Sequence, residues 1–176
     1  MLIAQITDMH IKARGVRLYN RIDTAGYLER AVAQVMKLDP LPDVVLATGD
    51  LVDGGKPEEY AFLREMLAPL SMPVYLIPGN HDSRDGMRAG FPDHRYLPAS
   101  GYLQYVIEDR PVRLIGLDTL VDGKGHGEMC AERLDWLEQR LGESSKPAVL
   151  FMHHPPFEDR KSTRLNSSYI TISYAV

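Results

Sequence analysis

The chain is poor in cysteine: Cys130 stands alone in 176 residues. One thiol cannot close an internal disulfide. This removes the stapled scaffolds of small secreted domains and favours a cytoplasmic setting. Long apolar runs are lacking too, none approaching the ~20 residues of a membrane span. Met1 leads straight into Leu-Ile-Ala-Gln-Ile, without the basic segment and apolar core of a signal peptide. No basic tract occurs and the net charge is −4, so duplex nucleic acid and anionic membranes are not expected partners. Internal repeats are absent. What is present is ordinary globular composition, 44% hydrophobic and 25% charged, in a length that suits one domain.

Short apolar runs alternate with helical patterns. Leu2 to Ile6, Val44 to Ala47 and Val74 to Ile77 read as buried parallel strands. Asp23 is placed to cap a helix whose Leu28, Ala31, Val32, Val35 and Met36 recur at helical spacing. Pro57-Glu58-Glu59 opens a second helix, with Tyr60, Leu63, Met66, Leu67 and Leu70 on one face. The order βαβαβ is the pattern of a doubly wound α/β fold. Ser83 to Gly101 is irregular. Leu103 to Ile107 and Val112 to Leu117 flank a hairpin at Glu108 to Pro111. Leu134, Leu137 and Leu141, with Trp136, mark an amphipathic helix that starts near Cys130 and ends at Gly142. Ala148 to Met152 reads as a further buried strand.

Four clusters each follow one of these strands: Asp8-x-His10, Gly49-Asp50, Gly79-Asn80-His81-Asp82 and His153-His154. In a parallel sheet with helical crossovers, strand carboxyl ends gather on one rim, where ligands bind. Carboxylate, imidazole and amide donors in this mixture suit a pair of first-row metal ions. In extended backbone, Asp8 and His10 would point to one side and reach one cation. Asp50 has two oxygens and can bridge two cations, and Gly49 before it permits a sharp turn. Asn80 is a neutral donor that completes a harder site, which leaves His81 to protonate a leaving oxygen or offset phosphoryl charge. Of the adjacent histidines, His153 is favoured as ligand and His154 as its support. Asp53 is expected to brace its loop rather than bind metal. His94 and His126 are expected in solvent, and Cys130 as a small apolar residue. Taken singly, each cluster also has an ordinary reading as a turn or a surface group. Their recurrence at successive strand ends is what points to a metal-assisted attack on a phosphoester.

Asp8-x-His10, Gly49-Asp50-x-x-Asp53, Gly79-Asn80-His81-Asp82 and His153-His154-Pro155-Pro156 together resemble the calcineurin-like metallophosphoesterase signature, in its glycerophosphodiesterase and class III cyclic-nucleotide phosphodiesterase branch. The resemblance implies a four-layer α/β/β/α sandwich. One metal would take Asp8, His10 and Asp50, and the other Asp50, Asn80 and His153. The metals would be Fe, Mn, Co or Zn, activating a bridging hydroxide. The implied function is hydrolysis of small phosphodiesters with Asp50 and His81 in the catalytic machinery. The alternatives are a phosphomonoesterase or pyrophosphohydrolase on the same site, or an inactive metal-binding fragment. The third arises because the family's Gly-His-x-His motif does not follow His154. The sandwich is therefore expected to be incomplete at its C-terminus. Residues 1–160 are read as the N-terminal part of the domain. Residues 161–176, beginning Lys-Ser-Thr-Arg-Leu-Asn-Ser-Ser, are read as a non-native or out-of-family tail on a truncated reading frame. A homo-oligomer is expected only of the complete protein.

Overall fold

A computed structural model describes residues 1–156. The expected tail, 161–176, lies outside the described residues. The three predicted strands form a parallel sheet, β1 (Ile3–Ile6), β2 (Val44–Thr48) and β3 (Val74–Ile77), in that spatial order. Helices α1 (Thr24–Val35) and α2 (Pro57–Leu67) make the crossovers. Asp23 caps α1 as expected, its Oδ1 accepting from the Gly26 N–H at 2.9 Å. Proline and two acids occupy the first turn of α2.

The doubly wound expectation needs correcting. Strands that step in one direction, joined by right-handed crossovers, send successive helices to the same face. Strand alternation shows the result. Val45, Ala47 and Leu76 pack with Leu28 and Val32 of α1 and Leu63 and Leu67 of α2. Val44, Leu46, Tyr75 and Ile77, on the opposite face, pack against Tyr105, Ile107, Leu114 and Phe151. A second sheet takes the place of a second helical layer.

That sheet holds β4 (Tyr105–Ile107), β5 (Arg113–Gly116) and β6 (Ala148–Phe151), after a short helix α3 (Arg84–Gly90). β4 and β5 form the predicted antiparallel hairpin, and β6 joins β5 in parallel. Helix α4 (Ala131–Gly142) crosses the outer face, its Arg140 carbonyl accepting from the buried Arg113 guanidinium at 2.7 Å. The layers are thus α/β/β/α. The open edge of β3 is closed by side chains. The Tyr96 hydroxyl accepts from Leu76 N–H at 2.9 Å and donates to Val74 O at 3.0 Å, and Tyr105 donates to Leu76 O at 2.8 Å.

Three further expectations change. β6 is half-buried rather than buried, being an edge strand among the described residues. Gly142 ends α4 without a left-handed cap, and the Leu134 and Leu141 stripe is exposed while Arg133 is buried. His94 is half-buried, its ring 5.0 Å from Phe91 and its Nδ1 2.9 Å from the Tyr96 hydroxyl. His126 is exposed, as expected.

Candidate metal centre

The loops leaving β1 and β2 run side by side. Asp8 N–H donates to Gly49 O (3.1 Å), His10 N–H to Asp50 O (2.9 Å), Ile11 N–H to Leu51 O (3.1 Å) and Asp53 N–H to Ile11 O (3.2 Å). The pairing is not extended strand. Asp8, His10 and Asp50 have φ of 54°, 42° and 47°, so the argument from strand alternation for Asp8 and His10 fails. Three non-glycine residues in the left-handed region within one site mark a backbone held against its local preference by its surroundings.

Two glycines make room. Gly49 has φ +87°, and a Cβ there would sit 2.5 Å from His153 Nδ1. A Cβ on Gly79 would collide with the Asp50 backbone nitrogen and carboxylate. Glycine therefore does more at these turns than bend the chain: it lets side chains from separate strands approach.

Asp8, Asp50 and His153 offer ligand atoms that all lie within 4.8 Å of one another. They come from the ends of β1, β2 and β6. Asp50 and His153 are buried, at 5% and 7% exposure. His153 Nδ1 is 2.9 Å from Thr48 O; a carbonyl only accepts, so Nδ1 carries the proton. Its Nε2 faces Asp50 Oδ1 at 3.5 Å and is the nitrogen that would give its lone pair to a cation in exchange for its proton, the arrangement metal-binding histidines adopt. His10 Nε2 lies 3.5 Å from Asp50 Oδ2, and its buried Nδ1 has no hydrogen-bond partner. This donor set of carboxylates and correctly presented imidazoles fits a metal centre.

The charges of the site act on one another. Burial alone would raise the Asp50 carboxyl, but the hydrogen bond and charge of His153, the His81 N–H and His10 hold it below the usual aspartate value. Burial would lower His153, yet its bond to Asp50 and the Asp50 charge hold it above the usual histidine value. His154 behaves oppositely. Burial and the neighbouring His153 push it down to about 4, and its Nδ1 is paired with the Thr119 hydroxyl at 2.7 Å.

The turn after β3 supplies the remaining groups. His81 N–H donates to Asp50 Oδ1 at 3.0 Å, which locks the Asn80-His81 backbone to the central carboxylate. Asn80 is half-buried. His81 Nδ1 donates to Asp53 O at 2.8 Å, and its ring meets His10 edge to face at 4.7 Å. Asp53 Oδ1 lies 3.6 Å from the Nδ1 atoms of both His10 and His81. With those histidines it forms a second group of close donor atoms.

Sequence reasoning gave no role to Asp82. Its buried carboxylate accepts from the N–H groups of Gly79 (2.9 Å), Leu51 (3.1 Å) and Val52 (3.3 Å) and from the Tyr60 hydroxyl (3.1 Å). It stitches the β2 and β3 turns together. Burial, outweighing those hydrogen bonds, raises its carboxyl to about 6. Lys12 and Glu59 were also missed. The signal was present in the need of two glycine-rich turns for acceptors, which an acid four residues after Pro78 can meet.

Comparison with known proteins follows the same lines. The family model for calcineurin-like phosphoesterases matches residues 1–172. The chain is 40% identical over 157 residues to a probable glycerophosphodiester phosphodiesterase GpdQ of Arcobacter nitrofigilis, covering 89% of this chain and 58% of that protein. It is 36% identical over 161 residues to the GpdQ of Enterobacter lignolyticus (89% and 57%). It is 32% identical over 158 residues to the 3',5'-cyclic adenosine monophosphate phosphodiesterase CpdA of Pseudomonas aeruginosa (88% and 56%). It thus spans less than two thirds of the length of these relatives. Purple acid phosphatase PPD1 of yellow lupin shares the fold, with a TM-score of 0.55 at 14% identity, over 86% of this chain and 30% of that one. The chain belongs to the calcineurin-like phosphoesterase family.

Proposed function

We propose that this chain is the metal-binding part of a phosphodiesterase that hydrolyses small phosphodiesters, with two cations sharing Asp50. Asp8 and His10 complete one position, and Asn80 and His153 the other. The observation that carries the reading is the meeting of Asp8, Asp50 and His153 from three separate strand ends. When bound, such ions supply Lewis acidity and a hydroxide nucleophile at neutral pH. The chain's own residues do the rest. Asp50 stays ionised and central. Thr48 O fixes the His153 tautomer. Asp53 O holds His81 Nδ1, so proton transfer to a leaving oxygen runs through Nε2. The relatives' names point to glycerophosphodiesters and cyclic nucleotides as the substrate class. Among the described residues no helix is long and apolar enough to cross a membrane, and a cytoplasmic enzyme is the reading we adopt.

The test is hydrolysis of bis(p-nitrophenyl) phosphate against p-nitrophenyl phosphate with added Mn²⁺. Preference for the diester supports the reading, and preference for the monoester replaces it with a phosphomonoesterase. The chain spans only part of its relatives' length, and a second reading is a metal-binding piece of such an enzyme without turnover of its own. Retention of Mn²⁺ after dialysis with neither ester cleaved would select it.

A further inference from the structure

The reaction scheme makes no use of Lys12, although its ammonium is seated against the site. Lys12 Nζ lies 2.8 Å from Asp53 Oδ2 and 3.4 Å from Glu59 Oε1. Glu59 is 1% exposed. Its Oε2 accepts from the N–H groups of Gly54 (2.8 Å) and Lys56 (3.2 Å). Those bonds fix it at the start of α2, and a carboxylate so deeply buried requires a cation. Lys12 supplies that cation and extends the line to Asp53. The other Asp53 oxygen is then turned toward the Nδ1 atoms of His10 and His81, while its carbonyl accepts from His81. The donor atoms of His10, Asp53 and His81 lie close enough for a third cation. The Lys12 ammonium already supplies positive charge on the far side of Asp53, which argues against one.

We propose that Lys12 is a positioning residue: anchored by Glu59, it fixes the Asp53 carboxylate between the His10 and His81 rings. The consequence for turnover rests on the phosphodiesterase reading; the structural consequence does not. Asp53 sits in a loop and is partly exposed. Without the ammonium its carboxylate is free to rotate into water. With it, the negative charge of Oδ1 is held 3.6 Å from both imidazole Nδ1 atoms, which favours a proton on each Nδ1 and so the lone pair on each distal nitrogen.

The experiment compares Lys12→Met, which keeps the aliphatic stem, with Lys12→Arg, which keeps the charge. Steady-state kinetics on bis(p-nitrophenyl) phosphate with Mn²⁺ are paired with crystal structures of the wild-type and Lys12→Met chains. The expected result is a fall in kcat of about 10–100-fold for Lys12→Met at little-changed KM, as for loss of other groups that orient metal ligands. Lys12→Arg restores most of it. The Lys12→Met crystal shows the Asp53 carboxylate turned away and the rings of His10 and His81 displaced. Unchanged kcat with both rings in their wild-type places would overturn the proposal. If the wild-type chain cleaves no ester, the phosphodiesterase reading fails, and the crystallographic comparison alone decides the role of Lys12. If Lys12→Met does not fold, Lys12→Met/Glu59→Gln, measured against Glu59→Gln, removes the unpaired buried charge and keeps the test.

Discussion

At Asp50, burial and hydrogen bonding pull in opposite directions, and hydrogen bonding wins. A carboxylate held ionised at 5% exposure between His10, His81 and His153 serves every part of the proposed site. Asp50→Ala is therefore expected to abolish hydrolysis, while His81→Ala, which removes only acid catalysis or charge stabilisation, lowers it by ~10²–10⁴-fold. Initial rates at saturating Mn²⁺ decide this; a His81 variant worse than the Asp50 variant contradicts the assignment. His154 makes a separate prediction. Its folded value of about 4 lies below the ordinary 6.5. Between these values the unfolded chain binds a proton that the native chain does not, so stability falls as pH drops from about 6.5 to 4. In the metal-free chain, urea midpoints across that window should flatten in His154→Gln relative to wild type. A parallel slope would remove His154 as the cause.

The turns, as elements, carry the site, and two substitutions probe them. Gly49→Ala places a Cβ in the His153 ring at a φ of +87°. It should cost at least the ~1–3 kcal/mol of such backbone strain, seen as a lower urea midpoint together with weaker Mn²⁺ binding. Asp82→Ala leaves three buried N–H groups and the Tyr60 hydroxyl without their acceptor. A loss of roughly 3 kcal/mol or more is expected, since each orphaned group costs ~1–3 kcal/mol. A urea midpoint within error of wild type would contradict it. Most elements were legible in the sequence because their signals are local: the Asp23 cap, the Pro57 start and the hairpin between Leu103 and Leu117. The geometry of the β1 and β2 turns was not, because left-handed φ at Asp8, His10 and Asp50 is imposed by neighbours distant in sequence. For the same reason Asp82, whose partners lie 3, 22, 30 and 31 residues away, had no local mark. The apolar stripe of α4 predicted burial that the described residues do not provide.

For the molecule as a whole, the βαβαβ rhythm identified a parallel sheet and its functional rim. It could not say what covers the far face, because Val44, Leu46, Tyr75 and Ile77 are apolar whether they meet helices or a second sheet. The family resemblance supplied that layer. Metal and fold should be coupled at this scale, because the proposed ligands come from strands of both sheets. Mn²⁺ at about 100 times its dissociation constant is expected to stabilise the chain by ~2.7 kcal/mol, reversed by EDTA and absent in Asp50→Ala. Equal thermal shifts in both chains would place the ion elsewhere.

Anomalous diffraction from Mn²⁺-soaked crystals tests the central claim most directly. The account predicts two peaks ~3.5–4 Å apart, with Asp50 between them, Asp8 and His10 on one and Asn80 and His153 on the other. Peaks away from these side chains, or none at full soaking, would contradict it.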